Sequence, residues 1–329
     1  MTRSLAACIA SMVLVAGCAH QQPTHATVAR IVTQGLIDVP GARLYYEIFG
    51  RGDPILVVHG GPGMYHKYLL PGMKGLAESH RVIFYDQRGV GRTEGAVDST
   101  TVSFDRFLSD IDAIGDSLHL GRFVLLGHSF GGLLAMRYAA RHPERLRALV
   151  IMNTAEPGQR YAAQSRPIMR RKQTPEDSAE LRRIVQSDAF KRRDSSAVNP
   201  MLRTFFRASF ADPSLANQLD IHEDQRTSQN MVPVAMLVMG RLGPNFDLWP
   251  EVATIRVPTL VVHGAEDLVP LDMPRELAQK IPGAQLVIIE RAGALSVHRE
   301  AGRDVCGDQS VSFASPLGIA WRTSTVELA

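Results

Sequence analysis

Gly127-His128-Ser129-Phe130-Gly131 decides the fold. The segment follows the apolar run Phe123 to Leu126 and precedes a helical pattern, Leu133 to Arg141. A GxSxG nucleophile elbow needs this strand–turn–helix context. The glycines permit a bend too tight for side chains. A serine at its apex stands above the sheet edge and faces the positive end of the following helix. A glycine-rich turn without chemistry is the competing reading, and it leaves the flanking motifs unexplained.

Outward from the elbow, strand-like and helical stretches alternate. The strand-like runs are Leu44 to Phe49, Ile55 to Val58, Val82 to Tyr85, Phe123 to Leu126, Ala148 to Met152, Thr259 to Val262 and Leu286 to Ile289. Most are rich in Val, Ile and Leu without strict alternation, as in strands buried on both faces of a parallel sheet. Phe104 to Leu118, Leu133 to Arg141 and Met273 to Ile281 carry helical periodicity. This order predicts an α/β architecture with right-handed crossovers and helices on both sheet faces. Residues 156–245 break the rhythm with Arg, Gln, Ser and Asp and a helical stretch from Ser178 to Gln186. They read as a helical cap between core segments 30–155 and 246–293. The cap's basic runs, Arg170-Arg171-Lys172 and Lys191-Arg192-Arg193, read as solvated helix faces.

The 329 residues are 45% hydrophobic and 21% charged, enough apolar material for a large core. Thirty-six Lys plus Arg against 33 Asp plus Glu leave a net charge of +3. That balance argues against a nucleic-acid partner. Residues 1–17 carry Arg3 and an apolar run from Leu5 to Ala16, which reads as an export signal too short to span a bilayer. Leu14-Val15-Ala16-Gly17-Cys18 resembles a bacterial lipobox, with Cys18 as the acylated new N-terminus and residues 18–29 as a tether. Ala19 in place of Asp favours the outer membrane, periplasmic side. With Cys8 removed and Cys18 acylated, Cys306 has no intramolecular disulfide partner.

His59-Gly60-Gly61-Pro62-Gly63 ends one strand, and Asp86-Gln87-Arg88-Gly89-Val90-Gly91-Arg92-Thr93 follows the next. With the elbow, these segments resemble the proline iminopeptidase group of α/β-hydrolases, over about Leu36 to Gly293. The resemblance implies the α/β-hydrolase fold with a helical cap and a serine hydrolase without metal or organic cofactor. It also implies an oxyanion hole from the N–H groups of Gly61 and Phe130. His59 precedes the nucleophile in the chain and reads as a structural, hydrogen-bonded histidine; Asp86, Arg88 and Arg92 read as loop ties. His263-Gly264-Ala265-Glu266-Asp267 resembles the family's acid turn, with Asp267 as the orienting acid and Glu266 as its rival. The order Ser129, Asp267, histidine suits this fold.

The histidine breaks the pattern. Where the group has a Gly-His dipeptide followed by F-P-x-x-E-x-P and a final helix, this chain has Gly293-Ala294. The next histidine is His298, and residues 294–329 show no sustained helical period. Residues 293–300 back-translate as GGG GCA CTT TCC GTT CAT CGA GAA. Loss of one G turns this into codons for Gly-His-Phe-Pro-Phe-Ile-Glu, the family pattern, so the tail reads as out of frame and its covering helix as missing. Ala294 then stands at the base position, and loss of a triad member costs about 10⁴ to 10⁶ in kcat. His298 as a replacement base is the open alternative.

The resemblance points to an aminopeptidase acting on a small-molecule or peptide substrate. Such a substrate's ammonium needs carboxylates, because an unpaired buried charge is costly. Glu223 and Asp224 in the cap are the candidates, with plain surface acids as the bland reading. The group's Trp- and Glu-containing cap segment is not recognisable, since Trp249 and Trp321 are the only tryptophans. Ester, lactone or amide hydrolysis is therefore the second reading, and a catalytically impaired lipid-anchored protein the third. Resequencing the gene across codons 290–300 tests the slip: a read one G shorter is expected, and a clean in-frame read encoding Ala294 rejects it.

Overall fold

The computed structural model describes residues 31–295 and 326–328. Its sheet is built from β1 (Ile31–Val39), β2 (Ala42–Phe49), β3 (Pro54–Val58), β4 (Arg81–Tyr85) and the two-residue β5 (Glu94–Gly95). It continues through β6 (Phe123–His128), β7 (Leu146–Met152), β8 (Thr259–Gly264), β9 (Gln285–Ile289) and β10 (Val326–Leu328). The strand order is β1-β2-β4-β3-β6-β7-β8-β9-β10, with β5 on β2. β4, β3, β6, β7, β8 and β9 are parallel neighbours, while β1, β2, β5 and β10 pair antiparallel. The α/β expectation and its central parallel sheet stand.

The continuous apolar runs are explained by alternation onto two cores. Leu56, Val58, Leu125, Ile151 and Val261 face one cluster with Phe104, Phe107 and Leu134 of the crossover helices Phe104–Ser117 and Phe130–Arg141. Ile55, Val57, Val124, Leu126, Val150 and Val262 face the other, with Tyr68, Leu69, Met73 and the cap residues Val198, Leu202 and Phe210. Both faces being covered, neither needed polar residues. The cap is helical as expected, through Ala162–Lys172, Pro175–Gln186, Ser195–Arg207 and Gln225–Leu242.

Several details differ from the sequence expectation. β1 was not anticipated, because it is an edge strand with largely exposed residues and Gln34-Gly35 at its centre. Pro40-Gly41 closes its hairpin, with Gly41 at φ +82°. The elbow helix begins at Phe130 rather than Leu133, its weak helix formers Gly131 and Gly132 being required by close packing. β6 runs on to His128, still paired with Met152. β10 adds an edge strand from the tail, where no element was expected. Cys18, Cys306 and His298 lie outside the described residues, and no helix among those described is long and apolar enough to cross a membrane.

Candidate active site

Ser129 sits between β6 and the helix Phe130–Arg141 with φ 52° and ψ −122°, a conformation rare for a residue bearing a Cβ. The bend is over-determined. Its N–H donates to the Met152 carbonyl at 3.1 Å, and its carbonyl accepts from the Gly132 and Ala155 N–H groups at 2.9 and 3.1 Å. Gly131 lies so close to β3 that a Cβ there would run into the Val58 carbonyl oxygen. The Ser129 side chain remains partly accessible to solvent.

The His59–Gly63 loop closes against the elbow, a Cβ on Gly60 falling 2.7 Å from that of Ser129. Gly61 has φ +55°. Among the described residues neither the Gly61 nor the Phe130 N–H donates a hydrogen bond, and a first-turn helix amide has no intrahelical acceptor. His59 is fully buried, which pushes its imidazole down to about 4. Its Nε2 accepts the Gln87 N–H at 3.1 Å, so the ring proton lies on Nδ1 and is donated to the Gly60 carbonyl at 3.0 Å. In a trans peptide the C=O and the next N–H point oppositely. Binding the Gly60 carbonyl thus turns the Gly61 N–H away from the imidazole.

Asp267 is 6% exposed and accepts from Asn153 Nδ2 at 2.7 Å and the Val269 N–H at 3.0 Å. Asn153, held at φ 42° after β7, also donates to the Gly293 carbonyl at 3.2 Å. Its rival Glu266 lies at the surface, 3.7 Å from Lys172. His263 Nε2 is 3.7 Å from Asp267 but donates to the Val269 carbonyl at 3.1 Å. The Gly293-Ala294 turn reaches the elbow through its main chain, with His128 Nε2–H donating to the Ala294 carbonyl at 3.0 Å. Among the described residues no imidazole hydrogen-bonds to the Ser129 hydroxyl.

The two cap acids part company. Asp224 is exposed and caps the helix Gln225–Leu242, its Oδ1 accepting the Thr227 N–H at 2.6 Å. Glu223 is 3% exposed, and its Oε2 has no partner among the described residues. Burial, then the charges of Asp86 and Asp224, raises its carboxyl to about 9. Burial foremost, with a smaller contribution from Glu223, raises the Tyr65 and Tyr68 hydroxyls beside the oxyanion loop.

Sequence reasoning missed His66, Tyr68, His128 and Asn153. His128 lay in plain view as the second residue of the elbow, and Asn153 follows a parallel strand's carboxyl end, where such sheets gather functional groups. His66 carried no local signal, since its partners are distant. Its Nδ1 is 2.6 Å from Asp86 and its Nε2 3.4 Å from Glu47, all three side chains buried. Arg88 instead forms a buried two-pronged pair with Asp110, at 2.8 and 2.6 Å. No group of three His, Cys, Asp or Glu among the described residues could hold a metal ion.

Residues 53–301 match the family model described as "alpha/beta hydrolase fold". A proline iminopeptidase of Heyndrickxia coagulans is 39% identical over 121 residues, covering 36% of this chain and 42% of that one. A proline iminopeptidase of Saccharolobus solfataricus is 26% identical over 277 residues, covering 82% and 88%. A thermophilic esterase from Thermogutta terrifontis superposes with a TM-score of 0.59 at 22% identity, covering 81% and 93%.

Burial pushes His66 down, but the Asp86 charge and hydrogen bond, followed by those of Glu47, outweigh it and raise the imidazole to about 9. A raised imidazole contributes stability that is complete below its ordinary value of about 6.5 and is lost as pH rises through about 9. Imidazole NMR is therefore expected to find His66 still charged at pH 8, with melting temperature falling from pH 7 to 9. A neutral His66 at pH 7.5 contradicts this assignment.

Proposed function

The chain belongs to the alpha/beta hydrolase fold family, and from that premise we propose that this hydrolase works through an acyl-enzyme on Ser129 and releases an N-terminal residue from a small peptide or amide. The supporting observation is the strained elbow, flanked by the Gly61 and Phe130 N–H groups, which donate to no acceptor among the described residues. In the proposed step the Ser129 hydroxyl oxygen attacks a carbonyl carbon while its proton passes to a base. The Gly61 and Phe130 N–H groups receive the oxyanion, a contribution typically worth about 10² to 10³ in kcat per donor. Collapse returns the proton to the leaving amine, and water then releases the acyl group. Asp267 would orient the base and stabilise its cation. No described residue supplies that base: either His298 does, or Ala294 marks its loss.

Glu223 supports the aminopeptidase reading. A buried carboxyl with a free oxygen and a raised pKa stands ready to ionise against a substrate ammonium, releasing its proton as the pair forms. One observation favours the second reading, a carboxylesterase or lactonase. Trp249 packs in the core beneath Arg160, leaving no tryptophan among the described cap residues. The sequence-level lipobox supports a lipid-anchored location at the cell envelope, periplasmic side, through Cys18.

Prolyl arylamide and short-chain p-nitrophenyl ester turnover separate the readings. Glu223→Gln is expected to lower kcat/KM for the arylamide roughly 30-fold or more, the scale of an unpaired buried charge, while leaving the ester within about twofold. Ester turnover alone removes the peptidase reading. Fluorophosphonate labelling of Ser129 identifies the base. Acceleration by Ala294→His by about 10² or more marks a lost histidine, whereas a comparable loss in His298→Ala marks a replacement. Incorporation of radiolabelled palmitate, abolished in Cys18→Ala, is expected of the anchor; unlabelled wild-type protein rejects it.

A further inference from the structure

We propose that Tyr68 and His128 form a positioning strap that holds the oxyanion loop, the nucleophile elbow and the Gly293-Ala294 turn in one register, an inference that rests on the reading of Ser129 as the nucleophile. Three hydrogen bonds make up the strap. The Gly60 N–H donates to Tyr68 Oη at 2.7 Å, Tyr68 Oη lies 2.8 Å from His128 Nδ1, and His128 Nε2 lies 3.0 Å from the Ala294 carbonyl. The directions are forced. A carbonyl can only accept, so His128 carries its proton on Nε2. A neutral ring then leaves Nδ1 bare, and Tyr68 must donate to it. Burial favours that neutral ring by pushing the His128 imidazole down. Tyr68 is 3% and His128 4% exposed, so loss of one link leaves a buried polar atom without its partner.

The strap joins loops far apart in sequence at the points where their placement matters. Gly60 is adjacent both to Gly61 and to the hydroxyl-bearing serine, since a Cβ there would lie 2.7 Å from Ser129 Cβ and 2.8 Å from Tyr68 Oη. His128 is bonded in the chain to Ser129. Ala294 follows Gly293, whose carbonyl shares Asn153 with Asp267. Oxyanion donor, nucleophile and acid are thereby referred to one chain of hydrogen bonds behind the elbow. The cap also rests on this strap, with the Phe206 ring stacked on Tyr68 at 6.3 Å and 18°. A shift of about 1 Å in such a constellation is enough to cost 10²-fold in rate.

The test combines fluorophosphonate labelling with amide hydrogen exchange on the wild-type protein, Tyr68→Phe, His128→Leu and His128→Gln, with Ser129→Ala as the blank. Tyr68→Phe is expected to slow the maximal labelling rate about tenfold without changing the half-saturating probe concentration, because position and not probe binding is affected. His128→Leu should do the same, and His128→Gln, which keeps an N–H for the Ala294 carbonyl, should recover most of the loss. The Gly60 amide should exchange faster in Tyr68→Phe and also in His128→Leu, although His128 does not touch Gly60. Unchanged Gly60 exchange in Tyr68→Phe overturns the strap whatever the labelling shows. Wild-type protein that stays unlabelled even after Ala294→His overturns the nucleophile reading, and the exchange data then decide the strap by themselves.

Discussion

The site depends on one main-chain conformation, the positive-φ bend at Ser129. A non-glycine residue held this way costs on the order of 1–3 kcal/mol and persists only where the surroundings over-determine it. Here they do so on every side. β6 feeds the bend while still paired to β7, the Ser129 carbonyl is claimed by two N–H groups, and Gly131 lets the following helix press against the β3 carbonyls. The same closeness puts the start of that helix, with its unclaimed Phe130 N–H, beside the Gly60-Gly61 loop. In the proposed reading, the geometry of attack and that of oxyanion capture are therefore consequences of one packing constraint.

Around this bend, buried carboxyls are treated in two opposite ways. Asp86 feels burial, which raises it, but the charge and hydrogen bond of His66 and the Arg92 N–H bring it below its ordinary value. Glu47 is lowered likewise, burial being outweighed by hydrogen bonds from His66 and Tyr45. These groups, with the Arg92 guanidinium over the Tyr45 ring at 4.0 Å, tie β2 and β4 to the segment just after the oxyanion loop. At Glu223 only the Lys67 charge opposes burial, too weakly to offset it. A carboxyl oxygen removed from water without a donor is expensive in the empty protein. An incoming cation removes that cost, so the imbalance favours a basic ligand.

What the sequence revealed follows from the range over which each signal acts. Buried strands and the elbow announce themselves locally, as apolar runs and as Gly-x-Ser-x-Gly, and the central sheet follows from them. The antiparallel margin was illegible because β1 spends its residues on the solvent, although Pro40-Gly41 marked its turn. Ser129, Gly61, Phe130 and Asp267 were nominated by motifs, and the structure brings all four to the carboxyl ends of the parallel strands β3, β6 and β8. Their supports were not visible. Tyr68 is held by bonds to Gly60 and His128, and Asn153 bridges Asp267 and Gly293, pairings created by the fold. Glu223 and Asp224 are neighbours in sequence, yet one is sealed in and the other caps a helix, a distinction no local pattern carries.

Ala294 separates the framework of catalysis from its chemistry. The contacts that fix this turn involve the carbonyls of residues 293 and 294, received by Asn153 and His128, and close packing of Gly293 against the Ser209 main chain. The side chain at 294 takes part in none of these hydrogen bonds, so the fold does not select it. Leu295 beyond it is 2% exposed and anchors the turn on the core face that also holds Tyr68. In the proposed reading, the acid, the oxyanion donors and the nucleophile can all stand in place while the proton acceptor is absent or supplied from elsewhere in the chain. Intact geometry at Ser129 is thus evidence about the site's design, and only reactivity reports on its base.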